Sequence, residues 1–166
     1  MTVTSVRKDP EALTMTITAE LEATVERAWQ LWADPRQLER WWGPPTYPAT
    51  VVDHDLTPGG RVTYFMTGPD GEKFHGWLKV LAAEPPSRLE LHDGFAHDDG
   101  TPNDAMPTTT MLVTLMKRGG GTLMAIKTQF SSLEEMEQLA SMGMEEGMVA
   151  ALGQIAGILA DDVTTH

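Results

Sequence analysis

The residues of this chain that could do chemistry are few and unevenly placed. The run "HDGFAHDD" brings together His92, Asp93, His97, Asp98 and Asp99, and "DHD" sets Asp53, His54 and Asp55 on or beside a strand. Imidazoles and carboxylates in such density can hold a metal or move a proton. Neither run has the H-E-x-x-H spacing that fixes two ligands on one helical face, so no metal site is expected. By strand alternation His92 falls opposite Leu91, toward water, and the acidic run reads as a solvated loop. His75, beside Gly76-Trp77, is the one histidine that suggests a general base aimed into a cavity. No G-x-S-x-G elbow occurs, and "RGGGT" has no helix after it to cradle a phosphate. The chain has no cysteine, which removes disulfides, thiolate nucleophiles and thiolate metal sites. No cofactor is expected.

Apolar chemistry is better represented. Trp29, Trp32, Trp41 and Trp42 are crowded into a short segment that ends in "WWGPP". Indoles bury about 150–250 Å² each, so such a group can plug the open end of a sheet or wall a pocket with Gly43-Pro44-Pro45 as a stiff rim. The 11 methionines are many for this length. They concentrate late in the chain, at Met111, Met116, Met124, Met136, Met142, Met144 and Met148. Thioether side chains repack around varied shapes, which suits a pliable ligand cavity.

The elements that must position these residues can be read from periodicity. Leu13 to Glu22 alternates apolar with Thr and Glu, a strand with one wet face. Thr24 caps a short helix carrying Trp29 and Trp32, and Asp34-Pro35 caps a second in which Leu38, Trp41 and Trp42 share a face. Six further strands follow in "TYPATVVDHDL", "RVTYFMT", "KFHGWLKVLAA", "RLELHD", "TTTMLVTLM" and "TLMAIKTQF", separated by turns such as "TPGG" and "GPDG" and by the long loop "GFAHDDGTPNDAMP". Alternation turns Met111, Val113 and Leu115 inward, and Met124, Ile126 and Phe130 likewise. Ser132 and Glu135 form a capping box that opens a short helix to about Ala140. A longer helix then runs from about Met144 to Ala160, with Met144, Met148, Leu152, Ile155 and Leu159 as its apolar stripe.

Seven antiparallel strands under so few helices make an α+β arrangement, with the terminal helix lying in the concavity of a curved sheet. Residues 1–166 read as one domain, its core spanning about residues 12–160. A formal charge of -12 repels phosphate backbones and anionic lipid surfaces, so no nucleic-acid partner is expected. No apolar run is long enough for membrane insertion, and the first residues lack a signal-peptide core. The expected location is cytoplasmic; the oligomeric state is left open.

The strings "VERAWQLWADPRQLERWWGPP" and "DLTPGGRVTYFMTGPDGEKFHGWLKVLAAEPPSRLELHDGF", continued by "GGGT" and "QFSSLEEME", resemble the bacterial homologues of the heat-shock-ninety ATPase activator. These helix-grip proteins belong to the START-like, or SRPBCC, superfamily that includes the birch-pollen allergen. The resemblance implies strand, two helices, six strands and a long helix. It also implies a small apolar or amphipathic molecule, lipid-like in character, held between that helix and the sheet. Two alternatives come with it: a polyketide-cyclase- or dehydratase-like enzyme using the same cavity with His75 or a nearby carboxylate as general base, and a chaperone partner in a stress response. Where relatives commonly have Gly-Trp at the start of the last helix, this chain has Gly147-Met148. The expected ligand-binding residues are Trp32, Trp41, Trp42, Tyr64, Met66, Phe95, Met111, Val113, Met124, Ile126, Phe130, Met144, Met148 and Leu152, with non-catalytic binding expected before catalysis.

Overall fold

The computed structural model describes residues 2–164, and of Thr2, Thr4 and 162–164 the backbone alone. The elements run β1 (Thr2–Asp9), β2 (Thr14–Leu21), α1 (Val25–Ala33), α2 (Pro35–Trp42), β3 (Ala49–His54), β4 (Arg61–Thr67), β5 (Lys73–Glu84), β6 (Arg88–Phe95), β7 (Thr109–Arg118), β8 (Gly121–Gln129), α3 (Leu133–Ser141), α4 (Met144–Leu152) and α5 (Ile155–Thr164). The strands form one antiparallel sheet in the order β1-β2-β8-β7-β6-β5-β4-β3. This is the helix-grip arrangement.

Two differences from the expected elements stand out. The sheet has eight strands, not seven, because Thr2–Asp9 pairs with Thr14–Leu21 as an added edge. Its residues alternate weakly and a register shift falls between Val3 and Ser5, so its order comes from pairing, including a Ser5–Thr18 hydroxyl contact of 2.6 Å. The terminal helix is also divided: α4 stops at Leu152, and Gly153-Gln154 form a turn before Ile155. Among the described residues no helix is long and apolar enough to cross a membrane.

One face of the sheet is dry. Met15, Ile17, Ala19 and Leu21 of β2, Val62 of β4, Leu78 and Val80 of β5, and Leu89 and Leu91 of β6 are buried there in one cluster. The helices α1 and α2 carry the chain from β2 to the far edge at β3. Thr24 and Asp34 cap them as their sequence predicts, the Thr24 hydroxyl accepting from the Arg27 amide at 3.1 Å and the Asp34 carboxylate from that of Arg36 at 2.9 Å. Trp32, Trp41 and Trp42 meet edge to face, with centroids 4.8–5.7 Å apart. Trp41 donates its indole N–H to the Leu31 carbonyl at 2.9 Å.

The "WWG" turn is tied down from two sides. A Cβ on Gly43 would run into the Tyr47 carbonyl oxygen and lie 2.8 Å from the Ala49 nitrogen, so only glycine lets the chain double back here. Gln154, in the break between α4 and α5, donates to the Gly43 carbonyl at 2.6 Å. The C-terminal segment is thus fastened to the tryptophan cluster as well as to the sheet.

Candidate functional site

The seat of the terminal segment is uneven. Leu152, Ile155, Ile158 and Leu159 are buried in the core cluster, whereas Met144, Met148 and Val149, toward the start of α4, are only partly buried. Under that raised end lies a cavity of about 440 Å³. Its walls are Trp42 of α2, Tyr64 and Met66 of β4, Phe95 of β6, Leu139 of α3, and Met144 and Met148 of α4. At the rim stand Tyr47, Phe74 and Met142, all exposed, with the Tyr47 and Phe74 rings 5.8 Å apart.

The expected binding residues divide between this cavity and solid core. Trp42, Tyr64, Met66, Phe95, Met144 and Met148 line the space. Trp32, Trp41, Met111, Val113, Met124, Ile126, Phe130 and Leu152 do not: each is at most 4% exposed within the packed cluster. The residues of β7 and β8 among them do face inward, but there side chains fill the interior. Trp32 and Trp41 act one layer back, as the support against which Trp42 is held.

His75 is displaced from the role expected of it. It borders the cavity, yet it pairs across strands with Phe65, and its ring lies 5.5 Å from the Phe65 ring on the outer face of the sheet. Its neighbour Gly76 faces inward, and a Cβ there would fall on the Tyr64 hydroxyl. Glycine at this position makes room for the phenol.

Among the described residues the carboxylate that lines the cavity is that of Asp93. The expected solvated acidic run therefore needs correction: Asp93 does not belong to it, because β6 continues to Phe95 and the exposed part of the run begins at His97. Leu89, Leu91, Asp93 and Phe95 share the inner face, while His92 turns outward and meets the Thr110 hydroxyl at 3.1 Å. The alternation that sends His92 outward sends Asp93 in, a signal present in the sequence but obscured by its charge. Among the described residues no group of His, Asp and Glu side chains is arranged to hold a metal.

Asp93 sits in a small polar group on an otherwise apolar wall. The Tyr64 hydroxyl donates to its carboxylate at 3.4 Å, a long bond, and the Trp42 indole N–H points toward that hydroxyl without completing a hydrogen bond. Thr109, the cross-strand partner of Asp93 in β7, has a buried hydroxyl with no partner. Removal from water raises the Asp93 pKa to about 7, against the smaller lowering by hydrogen bonds from Tyr64 and the Gly94 backbone. The exposure Asp93 retains is to the cavity it lines. Burial, and then the Asp93 charge, push the Tyr64 phenol well above its usual range. A carboxyl poised near neutrality inside an apolar cleft can orient a polar head or exchange a proton.

Residues 22–160 match the family model described as Activator of Hsp90 ATPase homolog 1-like protein. The chain is 50% identical to the crystallised Ms6760 protein of Mycobacterium smegmatis, covering 95% of this chain and 97% of that one with a TM-score of 0.89. It is also 50% identical to a protein of Arthrobacter aurescens solved by solution NMR, covering 96% and 93% with a TM-score of 0.92. CalU16 of Micromonospora echinospora, at 20% identity, covers 96% of this chain and 85% of its own with a TM-score of 0.58, a likeness of fold alone. No curated protein matches.

Proposed function

The chain belongs to the Activator of Hsp90 ATPase homolog 1-like family, and from that premise we propose that it binds a small apolar or amphipathic molecule between α4 and the sheet. The observation that supports this reading is the cavity of about 440 Å³, within the usual range of ligand pockets and walled by flexible methionines and rigid aromatics. Binding would be driven by burial of the ligand's apolar surface, worth roughly 25 cal/mol per Å² before the costs of ordering.

Fluorescence provides the test, because Trp42 lines the cavity and Trp29 does not. Titration with alkyl and aromatic alcohols is expected to give a saturable change in the micromolar range. Trp42→Phe should remove most of the change, and Trp29→Phe should leave it. A flat response across the panel would exclude the reading.

A second reading is favoured by Asp93: a carboxyl with a pKa near 7 facing bound substrate is suited to general acid–base chemistry, as in a cyclase or dehydratase. Under it, Asp93→Asn abolishes turnover of a bound carbonyl compound while ligand binding survives. His75→Ala, on the outer face, leaves turnover unchanged.

A further inference from the structure

We propose that the cavity selects its ligand by charge, taking amphiphiles with a cationic amine head that pairs with Asp93 and disfavouring carboxylates of equal chain length. This rests on the cavity-binding reading and adds the chemical class of the ligand's head.

The argument begins with the walls. Among the described residues no Lys or Arg lines the cavity, and His75, which borders it, turns its ring to Phe65 outside. The titratable side chains that face Asp93 are thus neutral: Tyr64 from β4, with Tyr47 at the rim, while β5 offers Leu78, β7 Thr109, α2 Trp42, and the helices above Leu139, Met144 and Met148. The hydrogen-bond donors to the carboxylate among the described residues are neutral, the Tyr64 hydroxyl and the Gly94 backbone. The site supplies a charge without its counter-charge.

An acid in that position has two ways to be neutralised. In the empty cavity a proton does it; with an ammonium head the proton leaves to solvent and the ligand's charge replaces it. Three further features fit an amine. The unpartnered Thr109 hydroxyl sits beside Asp93 as a second acceptor for an N–H. The rings of Trp42 and Tyr64, 6.0 Å apart, offer aromatic faces that attract cations. The methionines and Phe95 accommodate an alkyl chain, with Tyr47, Phe74 and Met142 marking an apolar way in from solvent. A carboxylate head would instead face Asp93 with no cation between them, a like-charge contact in a poorly solvated space.

Calorimetric titration of the full chain with decylamine, decanol and decanoate below their micellar concentrations tests this. Decylamine is expected to bind at least tenfold more tightly than decanoate at pH 8. Since only the ionised carboxylate pairs with it, its affinity should fall about tenfold from pH 8 to pH 6, following the ionised fraction of Asp93. Decanoate should follow the opposite trend and decanol stay flat. Asp93→Asn should remove the amine's advantage over decanoate and its pH dependence. If decanol binds but decylamine binds no better than decanoate, or shows no pH dependence in the wild-type chain, the charge inference is overturned and cavity binding stands. If none of the three binds, both fall together.

Discussion

Asp93 carries its carboxyl on the same face of β6 as Leu89 and Leu91, and that placement has a consequence for folding besides any role in binding. Its folded-state pKa of about 7 lies above the ordinary aspartate value of 3.8, so between those values the folded chain holds a proton that the unfolded chain has lost. The contribution of Asp93 to stability is therefore full below about pH 4, declines as pH rises, and is lost above about pH 7. That difference in pKa corresponds to at most about 4 kcal/mol, less where water in the cavity solvates the carboxylate. Asp93→Asn removes this dependence. Urea denaturation of both proteins at pH 5 and pH 8 should show the wild type losing stability relative to the variant at the higher pH. Parallel changes in the two proteins would mean that Asp93 is solvated as an ordinary carboxylate. The charge on Asp93 is also why a sequence reading passes it over: it is the last residue of "RLELHD", where alternation with His92 already turns it inward with Leu91, but a carboxylate at the mouth of an acidic loop is read as solvated.

The elements were legible where local chemistry was strong. Capping by Thr24, Asp34 and Ser132, and alternation in β2 and β4 to β8, are properties of neighbouring residues, and they appear in the structure as read. What could not be read depended on partners distant in sequence. Nothing in "TVTSVRKD" commits it to a strand until β2 is present to pair with it. The break at Gly153-Gln154 similarly needs the Gly43 carbonyl, since glycines alone mark only a weak helix. Whether an inward Met lines a void or fills a core depends on how high the helix rides above it; this separates Met148 from Met111 and Met124. Gln154→Ala is expected to cost about 1–2 kcal/mol by leaving the Gly43 carbonyl without its donor. Gly43→Ala should cost more, because the added Cβ meets backbone that cannot turn aside. Thermal melts of the two variants should rank in that order, and an unchanged melting temperature for Gln154→Ala would show that the tie between break and turn has no energetic weight.

For the molecule as a whole, a cavity under one end of the terminal segment joins ligand affinity to global stability. A ligand that binds only the folded chain stabilises it by about 2.7 kcal/mol at 100 times its dissociation constant. For a domain of this size that corresponds to about 5–10 °C in the melting temperature. Decylamine at pH 8 should produce that shift, and the start of α4 should gain most protection from hydrogen exchange, being the part least buried without ligand. Met148→Trp provides the opposing test. An indole on the inner face of α4 occupies volume that the thioether leaves free, so the unliganded variant should melt no lower than wild type while losing most of the ligand-induced shift. The two effects have one origin, since the space that would admit a ligand is the contact the empty protein lacks. A variant that melts higher yet still gains the full shift would place the ligand elsewhere on the molecule, away from the raised end of α4.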